Sequence, residues 1–527
     1  MDNVFYVGTI HCAHIGGTVM FIKYYNSGGH RYARLLEAKR DDDGERYDIL
    51  HGQLGRVIDE GNGIFKSRDR GTFRYSLIDG YSDIEDPKIY MEQTYGSKLE
   101  LILDFGPEYF FTEALRKDGM LGVFLSLMPS KSDTLMALVL HNMLWTEACQ
   151  YAEDFWRTSY ARVAFPNAKL KSQRISEFLV ELGDEALYRK FFDAYLAHVI
   201  NKSKTSRHSI AIDSTGLPNC CHMDLTAINI HNGVKSNEVR LIFAVDRDTG
   251  YPLYFRYVKG NILDVSTLTN TVTCLQMHGI DVDHCILDAG YYSGDNMEEL
   301  NSLGIPYLLR LRSGNKIYDS LIGAYVDGLD SYDNRVIYGN RVVFVKCVPV
   351  DFHGGQAFAY VAIDHDVQSD QRRNIYMKNP SDFNSDSERD EKIKNAGVFI
   401  LISKTQVTVD QILPLYYSRQ AIEQAFDFGK NYANLLPLRT HGEATLRGHL
   451  MISFMTTASI MSIDRMFINA NPKAKTKKPL NYIQARSYLR QMKCQVFDDS
   501  ILVVEPDRKS NTVIKALKLT YTKSIKR

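Results

Sequence analysis

The sequence predicts an α/β protein with a mixed sheet core flanked by helices, together with a β-rich N-terminal domain and a β-rich insertion domain. Residues 1–105 contain short segments separated by Gly-Gly, Asp-Gly and Asn-Gly pairs, which favour tight turns between strands. Residues 106–204 instead carry apolar side chains at three- and four-residue steps, the period of helices. From Ser209 onward strand-like and helix-like segments alternate, which indicates a layered α/β core.

Composition is that of an ordinary globular protein. The 527 residues are 44% hydrophobic and 24% charged, which is sufficient for a large core. A chain of this length suggests roughly two to four domains. The 63 Lys and Arg balance the 63 Asp and Glu, which argues against a uniformly basic surface. The basic C-terminal region, residues 467–527, nevertheless has a clear excess of Lys and Arg.

The cysteines and the N-terminus indicate a reducing compartment. The eight cysteines are scattered, and the local group Cys220, Cys221 and His222 has no second pair at zinc-finger spacing. Free thiols are typical of the cytosol. The N-terminal residues lack a basic segment followed by an apolar one, and no apolar run reaches the length of a membrane span. We therefore expect a cytoplasmic protein that binds no membrane.

The clearest element of residues 1–105 is a hairpin. The stretch RYARLLEAKRDDDGERYDILHGQLG alternates its side chains and reverses at Asp43-Gly44. A purely structural hairpin is the favoured interpretation, and a binding surface is the alternative.

Residues 205–312 form the first part of the predicted core. SIAIDSTG is a strand, VRLIFAVDRDTGYPLYFRYV is a pair of strands joined by Asp-Thr-Gly, and a helix follows. HCILDAGYYSGDNMEEL then gives a strand and a helix, and IPYLLRLR gives another strand. This β-β-β-α-β-α-β order is the layout of a ribonuclease H-like core. Residues 313–405 interrupt it as a β-rich insertion, and residues 406–466 form its second part.

The segment that returns to the core carries several charged side chains. Residues 416–430, YYSRQAIEQAFDFGK, have apolar side chains at helical spacing, which predicts one continuous helix. Arg419 and Glu423 are four residues apart and share a face, Tyr416 precedes them by one turn, and Lys430 follows two turns after Glu423. Such a group can hold a cation and a phosphate together. The alternative is a surface helix with one Arg/Glu pair.

Two aspartates occupy strand positions that usually hold apolar side chains. Asp213 follows Ile-Ala-Ile, and Asp288 follows His-Cys-Ile-Leu directly before Ala-Gly. A carboxylate there is costly unless it is paired or binds a metal, although a turn-capping Asp is the alternative for either residue alone. With Glu423 they make three oxygen donors, which suit Mg²⁺ or Mn²⁺, and two such ions can activate the nucleophile that attacks a phosphodiester. The side chains around Glu423 would then bind the phosphates of the cleaved strand: Tyr416, Arg419 and Lys430.

These residues resemble the signature of a known family. Residues 416–430 carry Tyr, Arg, Glu and Lys at the spacing of the Y-R-E-K signature of the DDE transposases of bacterial insertion sequences. Asp213 in AIDSTG and Asp288 in LDAGYYS look like the first and second catalytic aspartates of that family. KGNILDVSTL and RTHGEATLRGHL match further. The resemblance covers about residues 205–465, and the long gap from Asp288 to Glu423 fits members whose core carries a β-rich insertion.

The resemblance implies a DNA transposase that cleaves the ends of an element and transfers strands into target DNA. Asp213, Asp288 and Glu423 would be catalytic and would hold two Mg²⁺ or Mn²⁺ ions. The partners would be double-stranded DNA with terminal inverted repeats and target DNA, and the enzyme would act as a homodimer in the synaptic complex, at the nucleoid of a bacterial cell. Residues 1–105 would bind DNA ends, although no helix-turn-helix is evident.

The resemblance also implies that the insertion supplies an aromatic side chain that stacks on a flipped base. Its candidates are Tyr318, Tyr325, Tyr332 and Tyr338.

Three other functions stay open from the sequence. A ribonuclease H-like, metal-dependent nuclease would cut without joining a 3′-hydroxyl end to new DNA. A non-catalytic DNA-binding derivative would not need three intact acids. A glycosidase needs two carboxylates but neither the third acid nor the Arg and Lys side chains beside it.

Overall fold

The computed structural model describes residues 4–7, 10–15, 18–84, 99–145, 147–231, 234–262, 267–379, 382–470 and 480–526. The chain forms two compact units. The first consists of Met1–Leu101, Gln495–Ile501 and Ile525–Arg527, and the second of Ile102–Cys494 and Leu502–Ser524. The predicted end of the N-terminal domain, residue 105, lies close to this division, and parts of the predicted C-terminal region belong to each unit.

The first unit is built on an antiparallel meander. Its strands are β1 (Val4–Val7), β2 (Ile10–Ile15), β3 (Thr18–Ser27), β4 (His30–Arg40), β5 (Arg46–Asp59), β6 (Ile64–Ser67), β7 (Gly71–Ser76) and β8 (Gly80–Ser82). Each strand pairs with the next in one sheet. The predicted hairpin is β4 and β5. Gly44 has a φ of +84° in its turn, where the Asp41 carboxylate accepts hydrogen bonds from the backbone N–H groups of Asp43 and Glu45.

A short strand, β9 (Leu99–Asp104), crosses the division between the units, and a helical layer follows it in the second unit. The helices are α1 (Gly106–Asp118), α2 (Met120–Leu127), α3 (Ser132–Leu144), α4 (Ala152–Thr158), α5 (Ala161–Ala164), α6 (Ser172–Leu182) and α7 (Glu185–Ser203). They occupy the region that the sequence predicts to be helical. Within the described residues no single helix is long and apolar enough to cross a membrane, although Met120–Leu127 and Pro129–Leu144, bent by 98° at their junction, together have that length and composition.

The core sheet begins with β10 (Arg207–Pro218), β11 (Ala227–His231), β12 (Val234–Asp246), β13 (Pro252–Lys259), α8 (Leu268–Met277), β14 (Asp281–Leu287), α9 (Gly294–Ser302) and β15 (Tyr307–Arg310). Strands β13, β12, β10, β14 and β15 are neighbours in that order. β12 is antiparallel to β10 and β13, whereas β14 is parallel to β10 and β15. This arrangement confirms the predicted ribonuclease H-like fold class, and β11, which pairs with β12, is an addition to the predicted order.

The strands of the predicted insertion extend the same sheet. Residues 313–405 form α10 (Lys316–Tyr325), β16 (Arg335–Tyr338), β17 (Arg341–Phe352), β18 (Gly355–Asp364), α11 (His365–Tyr376), α12 (Asp386–Lys394) and β19 (Val398–Ser403). β19 pairs antiparallel with β15, and the sheet continues through β18, β17 and β16. Every residue of β19 is buried, as expected of a strand with neighbours on both sides.

The prediction of one continuous helix over residues 416–430 is wrong. The chain forms α13 (Val409–Tyr417) and α14 (Gln420–Tyr432), with a break at Ser418 and Arg419. At the break the backbone N–H groups of Arg419 and Ile422 donate to carbonyls only three residues back. The Ser418 hydroxyl donates to the Leu415 carbonyl at 2.6 Å and so competes with the backbone hydrogen bonds of the helix. Arg419 therefore precedes α14, and Glu423 lies in its first turn.

A long buried helix, α15 (Glu443–Ala470), follows as predicted and packs closely on α6. A Cβ atom on Gly448 would stand 2.0 Å from the Leu179 carbonyl oxygen, and one on Gly183 would stand 1.8 Å from that of Ala444. Both glycines are thus required by the close approach of the two helices. The chain ends with α16 (Tyr482–Leu489), β20 (Lys493–Phe497), β21 (Ser500–Val503), α17 (Arg508–Ala516) and β22 (Ser524–Lys526).

Candidate active site

Polar side chains come together where the pairing between the neighbouring parallel strands β10, β14 and β15 ends. The last mutually paired residues of β10, β14 and β15 are Ile212, Leu287 and Leu309. The residues that follow them are Asp213, Asp288 and Arg310, all half-buried. These three positions therefore form one row across the sheet, with steps of about 4.8 Å from strand to strand. Two of the predicted catalytic acids are neighbours in this row.

Arg419 connects the second and third predicted acids. Its Nη1 lies 2.9 Å from Asp288 Oδ1, and its Nη2 lies 3.1 Å from Glu423 Oε1. The Arg419 side chain is 20% exposed, whereas those of Asp288 and Glu423 are 43% and 57% exposed. Burial alone would lower the pKa of Arg419, but the neighbouring charges, of which Asp288 is the largest, raise the pKa above its ordinary value. The guanidinium is therefore charged, and the two acids face a common cation.

Lys430 approaches the same row from α14. Its Nζ donates a hydrogen bond to Thr215 Oγ1 at 2.6 Å, two residues after Asp213 on β10. Burial lowers the pKa of Lys430, and the negative charges of Glu238 and Asp213 oppose this shift. Glu238 is a buried acid of β12 that packs over Gly216, where a Cβ atom would stand 2.3 Å from Glu238 Oε2. The ammonium group of Lys430 thus lies in the field of acids on two strands.

Tyr416, the third predicted phosphate ligand, is buried. Its ring is 4% exposed and belongs to a hydrophobic cluster with Ile286, Leu308 and Leu401 beneath α13. This burial raises the pKa of the Tyr416 phenol to about 12. Tyr416 has a packing role here, and its contact with a phosphate stays a prediction.

The three acids fit a divalent ion by their chemistry. Within the part of the chain that the structure describes, no group of three or more His, Cys, Asp and Glu side chains is arranged closely enough to hold a metal. Asp213, Asp288 and Glu423 nevertheless supply the oxygen donors that Mg²⁺ and Mn²⁺ prefer. Arg419 already places a positive charge between two of them. We therefore regard these residues as the ones that would hold a metal ion.

Arg310 and Glu238 are residues near this site that the sequence interpretation missed. Arg310 lies in IPYLLRLR, where two Arg alternate with Leu at the end of an apolar strand. Glu238 directly precedes the apolar run VRLIFAV. A charged residue bordering an apolar strand is the same signal that identified the two aspartates, but its meaning depends on the register between strands, which the sequence alone does not supply.

The candidates for stacking on a base differ in exposure. The Tyr318 ring is buried, and its hydroxyl donates to the Val398 carbonyl. Tyr338 stacks on Tyr417 with ring centroids 5.2 Å apart. Tyr332 is 72% exposed, and the guanidinium carbon of Arg335 lies 3.5 Å from its ring centroid. Tyr325 is half-buried, and Lys346 Nζ lies 5.3 Å from its ring centroid. Tyr332 is therefore the candidate whose exposure best suits contact with a partner.

Comparison with known proteins adds two positive findings. Residues 205–458 match the model of the transposase DDE domain family, and this segment includes both aspartates and Glu423. The cryo-EM structure of a piggyBac transposase synaptic complex with hairpin DNA is similar, with 12% identity, a TM-score of 0.38, and coverage of 73% of this chain and 79% of that chain. No curated protein sequence matches the chain.

Proposed function

We propose that the chain is a DNA transposase, because residues 205–458 match the transposase DDE domain family, and that Asp213, Asp288 and Glu423 are its catalytic acids. The observation that carries the proposal is the placement of the two aspartates side by side, directly after the last residues that pair β10 with β14, with Glu423 joined to Asp288 through Arg419. Family membership implies dependence on a divalent metal. Two Mg²⁺ or Mn²⁺ ions are the form of this dependence that we propose.

The proposed chemistry comprises two displacements at phosphorus. In the first, water attacks a phosphodiester at the element end, and the 3′-oxygen leaves as a hydroxyl. In the second, this 3′-hydroxyl attacks a phosphodiester of target DNA, whose own 3′-oxygen leaves. The metal ions, when bound, would activate the attacking oxygen and stabilise the leaving one.

The chain supplies the ligands and the phosphate contacts. Asp213 lies within β10, Asp288 directly follows β14, and Glu423 completes the set from the first turn of α14. Arg419 presents a planar fork that suits two phosphate oxygens, and Lys430 presents a point charge. The hydroxyl of Tyr416 is the part of that residue proposed to reach a phosphate.

DNA is the partner of a transposase, and we propose the following DNA substrates and protein assembly. The substrates are double-stranded DNA with terminal inverted repeats and target DNA, brought together by a homodimer in a synaptic complex at the nucleoid of a bacterial cell. Residues 1–105 are proposed to bind the DNA ends. A nuclease without strand transfer, or a non-catalytic DNA-binding derivative, would share the fold but would not join a 3′-hydroxyl end to new DNA.

The test uses purified full-length protein and a duplex that carries the sequence bordering its coding region. The variants Asp213→Asn, Asp288→Asn and Glu423→Gln should each lose cleavage by about a thousandfold or more, because the three acids act as a unit. Their DNA binding should stay close to that of the wild type. Glu177→Gln, an exposed acid of α6, is the matched control. A variant that cuts at the normal rate removes that residue from the site, and cutting without joining favours the nuclease.

A further inference from the structure

We propose that Arg310 and Arg312 form a second phosphate-binding site for the DNA strand, beside Asp288 and separate from Arg419 and Lys430. This inference rests on the proposed function of the three acids. Its starting point is the strand register, which places Arg310 one strand beyond Asp288, as Asp213 is one strand before it. A DNA strand that crosses the acids along this row therefore reaches Arg310 next.

A cavity opens at this end of the row. Its volume is about 920 Å³, and it begins at Ala289, the residue after Asp288. Its walls come from the end of β15 and from α10, α11, α12 and β19; they include Arg310, Arg312, Tyr318, Lys378 and Phe399. A space of this size accommodates one or more nucleotides of a single strand.

Both arginines line this cavity. The guanidinium carbon of Arg310 lies 5.3 Å from the ring centroid of Phe399, which supports it by a cation–π contact. A Cβ atom added to Gly290, two residues after Asp288, would stand 3.7 Å from Arg312 Nη2, so this guanidinium lies close to the backbone that follows Asp288. Among the residues that the structure describes, neither guanidinium has a carboxylate partner. Both charges are thus available to an anion.

The acidic side chains of the cavity lie on other elements. Asp319 is on α10, and Glu388 and Glu391 are on α12. Glu388 is paired with Lys392 of the same helix at 2.5 Å. The β15 end of the cavity, which adjoins Asp288, is therefore positive.

A phosphodiester is the anion that this position suits. A guanidinium binds two phosphate oxygens at once, and contacts to phosphates beside the reacting bond fix the register of a strand without reading its sequence. Arg310 and Arg312 would hold the strand on the Asp288 side of the cleaved bond. Correct placement of the reacting phosphate accounts for much of the rate of such reactions, so these residues are positioning residues.

The test measures binding of full-length protein, without divalent ions, to the duplex that borders its coding region. In a set of duplexes, one phosphate at a time near the cut is replaced by a neutral methylphosphonate. For the wild type, neutralising one or two phosphates beside the cut should weaken binding. Arg310→Ala and Arg312→Ala should each bind the unmodified duplex up to about tenfold more weakly and reduce the salt slope by about 0.9. Each variant should also lose its sensitivity to one of those methylphosphonates.

Arg174→Ala is the control, because it removes an exposed guanidinium of α6 that is paired with Glu177. If both cavity variants show the wild-type pattern of sensitivity at every phosphate, the inference is wrong, while cleavage by the wild type still upholds the proposed function. If the wild type neither binds nor cleaves the duplex, the inference and the proposed function are both wrong. Arg312 is exposed, so Arg312→Ala carries the test should Arg310→Ala fail to fold.

Discussion

At the residue scale, Arg419 is the side chain on which the state of the site depends. Two carboxylates that approach each other repel unless a cation lies between them. Here the guanidinium of Arg419 is that cation for Asp288 and Glu423. Because both acids are about half exposed, each ion pair contributes only about 0.2–1 kcal/mol. The bridge is therefore weak enough for a divalent ion to displace it.

Arg419→Ala should bind Mn²⁺ more tightly than the wild type. The guanidinium no longer competes for the two carboxylates, and losing about 1 kcal/mol of competing ion pairs corresponds to about a fivefold lower dissociation constant. Isothermal titration calorimetry of the DNA-free protein measures this constant directly. Arg174→Ala should leave it unchanged. Unchanged or weaker Mn²⁺ binding by Arg419→Ala would show that the bridge is not in competition with a metal.

At the element scale, the sequence pattern predicted the strands of the core because each buries a continuous apolar run and ends in a turn or a polar residue. It could not reveal the break between α13 and α14, since Ser418 and Arg419 keep helical backbone angles and the apolar spacing continues across them. The sequence pattern could not predict the pairing of β19 with β15 either, because this pairing joins segments far apart in the chain. Local pattern therefore supplied the elements, whereas their breaks and long-range pairing required coordinates.

The candidate site divides in the same way. Asp213 and Asp288 could be predicted because an acid within an apolar strand or at its end is costly without a partner. The role of Arg310 could not, because it follows from the register of β15 against β14. The burial of Tyr416 likewise depends on the strands beneath α13.

The packing of α15 on α6 contributes to the position of the helix that carries Glu423. Phe454 of α15 contacts Phe243 of β12, whose ring also contacts Phe426 of α14, so that α15 helps to fix the helix that carries Glu423. The contact between α15 and α6 has no space for a side chain at Gly448. A substitution that separates α15 from α6 should therefore also shift the helix that carries Glu423.

Gly448→Ala should destabilise the protein by about 1–3 kcal/mol, the usual cost of overpacking a tight interface. Helix propensity alone would predict a gain of about 1 kcal/mol from the same change. We expect the clash to dominate because the new Cβ would meet the Leu179 carbonyl, part of a rigid backbone. Urea unfolding measures the difference.

Gly122→Ala in α2 is the matched control, because nothing lies within 4 Å of a Cβ atom at that helical glycine. This variant should be neutral or slightly stabilised. Equal stability of Gly448→Ala and the wild type would mean that α6 and α15 separate at little cost.

At the scale of the whole molecule, the net charge is zero, but the first unit has a basic face. Strand pairing places Lys23 opposite Arg34, and Arg56 opposite Lys66. Tyr32 lies opposite Arg56 on the same face. Side chains alternate along strands, so this face is the reverse of the one that buries the apolar cluster of the unit.

The aromatic side chains on this face are arranged around the charges. Tyr25 and Tyr32 stack with ring centroids 5.8 Å apart, and the guanidinium carbon of Arg34 lies 4.6 Å from the ring centroid of Tyr25. Basic and aromatic side chains on an open sheet are a combination suited to the backbone of nucleic acid. The face thus offers a physical basis for the proposed binding of DNA ends by residues 1–105.

The double variant Lys23→Ala and Arg34→Ala should bind the duplex that borders the coding region more weakly than the wild type. It should also reduce the slope of log affinity against log salt by about two, because each residue neutralises about one phosphate. Cleavage at saturating protein should be unchanged, because Asp213, Asp288 and Glu423 belong to the second unit. Lys171→Ala with Arg174→Ala, two exposed basic residues at the start of α6, removes the same charge and should leave the slope as it is. If the Lys23 and Arg34 variant also keeps its slope, the meander is not the end-binding surface, and the basic region 467–527 becomes the place to search for it.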